Sequence, residues 1–274
     1  MKTMKNRVLE ELALIEKEHN VRVLYACESG SRAWGFASGD SDYDVRFIYV
    51  RPADWYLTIN VEHKRDVIEK PITDELDISG WDLRKALKLM KKSNPSLVEW
   101  LNSDLVYKEV SGFRNSMEKV LGRYYSPRVG FYHYLHMANG NFRNYLKGET
   151  VRLKKYFYVL RPVLCMKWIE NYHSIPPLDF ETLARDLLTE SELMASIDEL
   201  LDKKRASLEA DLTRQIAPIN QFLVSELERL GSSEKATAIP AHKEYEDHLN
   251  PLFKAWVHSP SETEGAVKGN KLCL

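Results

Sequence analysis

Gly30-Ser31-Arg32-Ala33-Trp34-Gly35-Phe36-Ala37-Ser38-Gly39-Asp40-Ser41-Asp42-Tyr43-Asp44-Val45-Arg46-Phe47-Ile48-Tyr49-Val50 is the stretch that decides the fold of this chain. An apolar run, Val21 to Cys27, leads into a Gly-Ser turn, and after a loop of small residues two carboxylates alternate along a second apolar run. Side chains at i and i+2 of a strand share a face, so Asp42 and Asp44 are expected to point one way while Tyr43 and Val45 point the other. Aspartate is disfavoured inside strands, so its repetition at this spacing needs a chemical cause. Two parallel carboxylates beside a turn of phosphate size suit divalent cations bound together with a nucleoside triphosphate.

Three better-known phosphate or cation motifs fail on required residues. A Walker loop needs Gly-Lys-Ser/Thr, but Phe36 and Ala37 follow Gly35. A dinucleotide fingerprint needs glycine where Arg32 stands. The spacing of Asp40, Asp42 and Asp44 mimics a calcium-binding loop, which requires glycine at Val45 and glutamate at Arg51. What remains is coherent. Gly30 and Ser31 allow backbone N–H groups to approach a phosphate, the Ser31 hydroxyl adds a donor, and Arg32 supplies charge or anchors the loop. A third carboxylate is needed if two metals are to clamp an in-line displacement. Asp77, flanked by Leu76 and Ile78 in strand-like alternation, is the expected one, with Asp74, Glu75 and Asp82 as competitors.

Outward from this core, Val8, Leu9, Leu12 and Ile15 fit an amphipathic first helix, and Arg51-Pro52 ends the second strand. Further strand is expected between Val67 and Ile78, interrupted by Pro71. Ser79 or Asp82 can cap a helix from Leu83 to Lys92, and Asn94-Pro95-Ser96 starts another through Trp100 and Leu101. After Ser126-Pro127 the pattern turns helical: Phe131 to Leu146, Leu153 to Glu170, Phe180 to Leu201, Ala206 to Leu230 and His242 to Val257. Pro162 is expected to kink or restart its helix. The fold class is therefore α+β, with a sheet-bearing unit over residues 1–122, a helical unit over 123–258 and a flexible tail over 259–274.

Composition narrows the function classes. Hydrophobic residues make up 44% and charged residues 29%, which excludes wholesale disorder. The net charge of -1 means that any polyanion site must come from local clustering. Such clustering exists: between residues 126 and 170 eight Lys and Arg face only Glu149 and Glu170. Cys27, Cys165 and Cys273 are scattered and lack metal spacing. No apolar stretch approaches a signal core or a membrane span, so a soluble, cytoplasmic protein is expected. Lys154, Tyr158 and Arg161 share a helical face at i, i+4 and i+7, as a phosphate clamp would, or as a solvated face. His133, His136, Arg143 and Lys147 lie among Phe131, Tyr132, Tyr134, Phe142 and Tyr145, a mixture that can grip single-stranded nucleic acid or simply form core.

The order strand, Gly-Ser, small loop, Asp-x-Asp on a strand, then a later strand carboxylate resembles the DNA polymerase beta-like nucleotidyltransferase superfamily. More narrowly, residues 30–50 together with ELDISGWDLRKALKLMKKSNPSLVEWL and KKYFYVLRPVLCMKWI resemble a group of bacterial and phage nucleotidyltransferases associated with RNA repair. The resemblance covers roughly the first 170 residues. It implies a polymerase beta-like domain (a mixed sheet with flanking helices) followed by a helical domain. It also implies transfer of a nucleoside monophosphate from an NTP to a hydroxyl, with pyrophosphate released. Gly30 and Ser31 match the phosphate turn, Asp42 and Asp44 the metal pair and Asp77 the third carboxylate. The implied cofactor is a pair of Mg²⁺ ions, with Mn²⁺ as a substitute, and the expected acceptor is an RNA end, a damaged tRNA among the candidates. The same metal site would serve a protein or small-molecule hydroxyl, and a non-catalytic nucleotide-binding regulator is the third reading.

Overall fold

The computed structural model describes residues 3–206, 212–232, 237–242 and 244–260. Helix α1 (Met4–His19) begins at Thr3, whose hydroxyl accepts the Asn6 N–H, and ends at Asn20 in the left-handed region. Strands β1 (Arg22–Glu28) and β2 (Tyr43–Val50) pair antiparallel around the Gly-Ser loop. That loop contains the single-turn helix α2 (Gly30–Ala33), and α3 (Ala53–Tyr56) follows β2. Strands β3 (Val67–Glu69) and β4 (Leu76–Asp82) complete the expected strand region around Pro71. Helix α4 (Leu83–Lys91) is capped by Asp82, which accepts the Arg84 N–H at 2.8 Å. Helix α5 (Pro95–Leu101) is capped by Asn94, with Pro95 in its first turn. The short strand β5 (Val106–Glu109) and helix α6 (Phe113–Tyr124) occupy a stretch without a clear local signal.

The sheet has the order β3-β4-β2-β1-β5, and only β2 and β4 run parallel. Alternation assigns its two faces. Val45, Phe47, Tyr49, Leu76 and Ile78 pack with Val8, Leu12 and Ile15 of α1. Tyr25, Cys27 and Ile48 face the opposite way, onto α4, α5 and α6. The polar residues Asp44, Arg46, Asp77 and Ser79 alternate with the α1-facing set, so they belong to that second face.

A second core is helical. It is built by α7 (Pro127–Tyr145), α8 (Leu153–Tyr172), α9 (Phe180–Leu187), α10 (Ser191–Ala206) and α11 (Ala217–Leu230), with a two-stranded antiparallel sheet of β6 (Thr150–Arg152) and β7 (Leu212–Arg214). Three expectations change here. The segment Phe180 to Leu201 divides into α9 and α10 because Leu188 turns extended. The single helix expected over Ala206 to Leu230 is instead the end of α10, strand β7 and α11, since Leu212–Arg214 pairs with β6 and Pro218 marks a fresh helix start. The last helix, α12 (Leu249–Val257), starts later than His242, where Asp247 accepts the Asn250 N–H. It packs on the sheet unit, against the core formed with α4 and α6. Pro162 does not break α8. It leaves the Tyr158 carbonyl without its ladder donor, and the Asn141 amide fills that role at 2.8 Å. Residues 261–274, with Cys273 and most of the expected tail, lie outside the described residues.

Candidate active site

Register brings the acidic residues together. In the parallel β2–β4 pairing Asp44 stands opposite Asp77. Both carboxylates reach one nitrogen: Arg46 Nη2 donates to Asp44 Oδ1 at 2.9 Å and to Asp77 Oδ2 at 2.7 Å. Arg46 Nη1 donates to the Val45 and Asp77 carbonyls, each at 3.1 Å. Asp42 is the residue before β2; it is exposed and outside the lining of the neighbouring cleft. Its carbonyl accepts Arg32 Nε at 3.1 Å. Two of the three competitors have other work. Asp82 is buried, caps α4 and accepts the Tyr56 hydroxyl at 2.8 Å, while exposed Asp74 pairs with Arg7.

The Gly-Ser turn lies directly against Asp44. Gly30 has a φ of 61°, and a Cβ placed on it would lie 2.1 Å from Asp44 Oδ2, so no side chain fits there. The Asp44 carbonyl accepts the Ser29 N–H at 2.9 Å, and the Asp44 N–H donates to Glu28 Oε1 at 2.7 Å. Glu28 is fully buried, and its other oxygen accepts the Tyr107 hydroxyl. Burial pushes the Glu28 carboxyl above its ordinary range, opposed by the bonds from Tyr107 and the Asp44 N–H. Arg32 turns away from the acidic pair. It stacks 3.7 Å over the Tyr43 ring and donates to the Ser41 and Asp42 carbonyls, which makes it an anchor of the loop.

Beside this centre opens a cleft of about 430 Å³ that runs from Ser29, Gly30, Asp44 and Arg46 to helices α7 and α8. Trp81 and Trp100 stack along one wall with centroids 3.8 Å apart, and Trp34 meets Tyr158 edge-on at 6.3 Å. Of the helical set expected to clamp phosphate, Tyr158 and Arg161 line the cleft and half-buried Lys154 does not. Arg161 is 3% exposed and donates to Glu99 Oε1 at 2.6 Å. Glu99 also accepts Trp34 Nε1 at 3.2 Å and the Tyr134 hydroxyl at 3.4 Å. Ser31 sits one residue beyond the cleft-lining Gly30.

Among the described residues no group of three or more His, Cys, Asp and Glu is gathered in a way that could hold a metal ion. Asp44 and Asp77 nevertheless fit one by donor type: two hard carboxylates from adjacent strands already converge on a cationic nitrogen. Glu28, Arg46, Glu99 and Asn141 escaped the reading of the sequence. Arg46 left a usable signal, because it continues the i, i+2 alternation of Asp42 and Asp44. The other three act through partners distant in sequence, which no local pattern reveals.

Residues 4–255 match RlaP, the RNA repair pathway DNA polymerase beta family. The chain belongs to this family. As an RlaP-family member it is a nucleotidyltransferase, an enzyme with a mixed α+β fold. A relative from Bacillus subtilis (strain 168), named Uncharacterized protein YcgL, is 51% identical over 251 residues, covering 91% of this chain and 95% of the relative. The crystal structure of a nucleotidyltransferase-like protein from Exiguobacterium sibiricum 255-15 aligns over 85% of this chain and 78% of that one, with 11% identity and a TM-score of 0.32. No helix among the described residues is long and apolar enough to cross a membrane.

Proposed function

We propose that this RlaP-family enzyme transfers a nucleoside monophosphate from an NTP to a hydroxyl at an RNA end, in the cytoplasm. The observation that carries the proposal is the in-register pairing of Asp77 with Asp44, which itself lies against a glycine turn and lines an aromatic cleft. The acceptor oxygen bonds to the α-phosphorus, the bond from that phosphorus to its β-bridging oxygen breaks, and pyrophosphate leaves with the electron pair. The acceptor proton passes to the Asp77 carboxylate. Asp44 and Asp77, with Asp42 from the strand edge, would hold Mg²⁺ or Mn²⁺, and such ions, when bound, supply the positive charge that neutralises the phosphates. Gly30 and Ser31 provide the turn that phosphate oxygens approach. We take residues 1–122 as the sheet unit and 123–258 as the helical unit, with α12 docked back on the sheet core; on that division the cleft lies where the two meet.

The surface outside the cleft supports an RNA acceptor. Tyr158, which lines the cleft, adjoins Lys155, whose ammonium lies 4.1 Å from the Tyr145 ring centroid and 4.6 Å from that of Tyr158. Tyr145 is 41% exposed, and exposed Arg143 and Lys147 flank it. Aromatic rings with cations between them suit the stacked bases and phosphates of a single strand. The test supplies each α-labelled NTP in turn with a single-stranded RNA ending in a 3′-hydroxyl. Label entering the RNA together with pyrophosphate release, both lost in Asp44→Asn, is the expected result. Label appearing on protein, or no pyrophosphate from any NTP, would overturn the proposal.

A further inference from the structure

Arg46 stands where the acidic pair would otherwise meet a metal. We infer that its guanidinium is a resident counter-cation, which holds Asp44 and Asp77 together in the metal-free protein. With Asp44 and Asp77 holding a divalent cation instead, the guanidinium would be free to meet the phosphates of the substrate. This inference rests on reading the centre as a metal-dependent nucleotidyl-transfer site.

The geometry makes the two cations exclusive. The terminal nitrogens of Arg46 are committed to Asp44 Oδ1, Asp77 Oδ2 and the carbonyls of Val45 and Asp77. A Mg²⁺ ion binds oxygen at about 2.0–2.1 Å, closer than the 2.7 and 2.9 Å contacts to Nη2. A cation held by these two oxygens could not share them with Nη2. Without either cation two half-buried carboxylates on neighbouring strands would repel each other. Arg46 meets that need now, at 18% exposure. Its side chain also lines the cleft beside Gly30 and Ser79, so a displaced guanidinium stays within the site. There its planar fork matches phosphate oxygens better than an ammonium would.

A purely structural arginine and a displaceable counter-cation predict opposite signs. We would titrate Mn²⁺ against the wild type, Arg46→Met and Arg46→Lys without nucleotide, reading free Mn²⁺ by electron paramagnetic resonance. In parallel, binding of inorganic pyrophosphate in the presence of Mg²⁺ would be measured by calorimetry, with folding checked by circular dichroism. Arg46→Met should bind Mn²⁺ roughly tenfold tighter, within the usual range of coupling between sites, and pyrophosphate roughly tenfold weaker. Arg46→Lys keeps the charge without the fork; it should leave Mn²⁺ affinity near wild type and still weaken pyrophosphate, and it decides the matter should Arg46→Met not fold. Weaker or unchanged Mn²⁺ binding in a folded Arg46→Met, or unchanged pyrophosphate binding in Arg46→Lys, would overturn the inference while leaving the metal reading intact. A wild type that binds no Mn²⁺ would sink that reading and this inference with it.

Discussion

Replacing Glu99 by alanine should destabilise the protein far more than a surface change, because it strands a buried charge. Arg161 is 3% exposed and Glu99 13%, and their contact is 2.6 Å. Breaking a buried ion pair by removing one partner costs about 3–5 kcal/mol, against a total stability of about 5–15 kcal/mol for a typical protein. At about 2–4 °C per kcal/mol for a chain approaching this size, the melting temperature should fall by roughly 10 °C. The double variant Glu99→Leu with Arg161→Met should recover most of this, since apolar replacement of a buried pair is often near neutral. Some loss remains because Trp34 Nε1 gives up its acceptor and the Leu178 carbonyl its guanidinium contacts, about 1 kcal/mol for each. Chemical denaturation of the wild type, Glu99→Leu, Arg161→Met and the double variant would measure the coupling, expected at about 4 kcal/mol or more. Additive losses would refute the ion-pair assignment. The same set tests the phosphate-clamp expectation for Arg161: were that its main task, Arg161→Met would leave stability near wild type and raise KM for the NTP alone.

Gly30→Ala should cut nucleotidyl transfer at least tenfold with the fold retained, because the new methyl meets Asp44 Oδ2 at 2.1 Å and the φ of 61° strains alanine; full activity in a steady-state pyrophosphate assay would show that the turn does not set the Asp44 position. Glu28 predicts an inverted pH dependence. A carboxyl raised by burial stays protonated longer in the native state than in the unfolded chain, so its contribution to stability is present below the ordinary value of 4.5 and is lost as pH rises through the raised one. The stability of wild type relative to Glu28→Gln, followed by urea unfolding, should therefore decline from acid pH toward neutrality, and a difference that grows with pH would contradict the assignment.

Much of the sheet was legible because its signals are local. Asp82 and Asn94 cap the helices they were expected to cap, and Pro71 separates two strands. Asp77 could be singled out because Leu76 and Ile78 fix its face, although nothing local said that β4 would run parallel beside β2 in a register that sets it against Asp44. The helical unit was harder. Leu212–Arg214 sits in a helical-looking stretch, and only pairing with Thr150–Arg152 makes it a strand. Lys154, Tyr158 and Arg161 do share a face, but burial separates their tasks: Arg161 meets Glu99 of α5, a partner 62 residues away. Pro162 is expected to kink or restart its helix, yet α8 continues through it, because the Asn141 amide of another helix donates to the Tyr158 carbonyl that proline leaves without a partner.

The loop between β1 and β2 shows why the helical unit is more than a cover for the cleft. Phe36, in the middle of that loop, is buried in the helical core, stacked on Phe157 with ring centroids 4.3 Å apart. Lys204 of α10, itself buried, donates to the Ser38 hydroxyl at 2.6 Å and the Ser41 hydroxyl at 3.3 Å. Arg205 donates to the Gly35 carbonyl, and the Phe180 N–H donates to the Trp34 carbonyl. One end of the loop therefore belongs to the sheet through Gly30 and Asp44, while its middle belongs to the helices. Any shift of α8 or α10 relative to the sheet must be absorbed between Phe36 and Asp44, the segment that contains Asp42. The exposed position of Asp42 outside the cleft lining and the tight setting of Asp44 are two consequences of the same arrangement: Asp44 is locked by β2 and β4, whereas Asp42 is carried by backbone whose anchors are Arg32 and α10. Packing of α8 and α10 on this loop therefore helps set where Asp42 stands relative to Asp44 and Asp77.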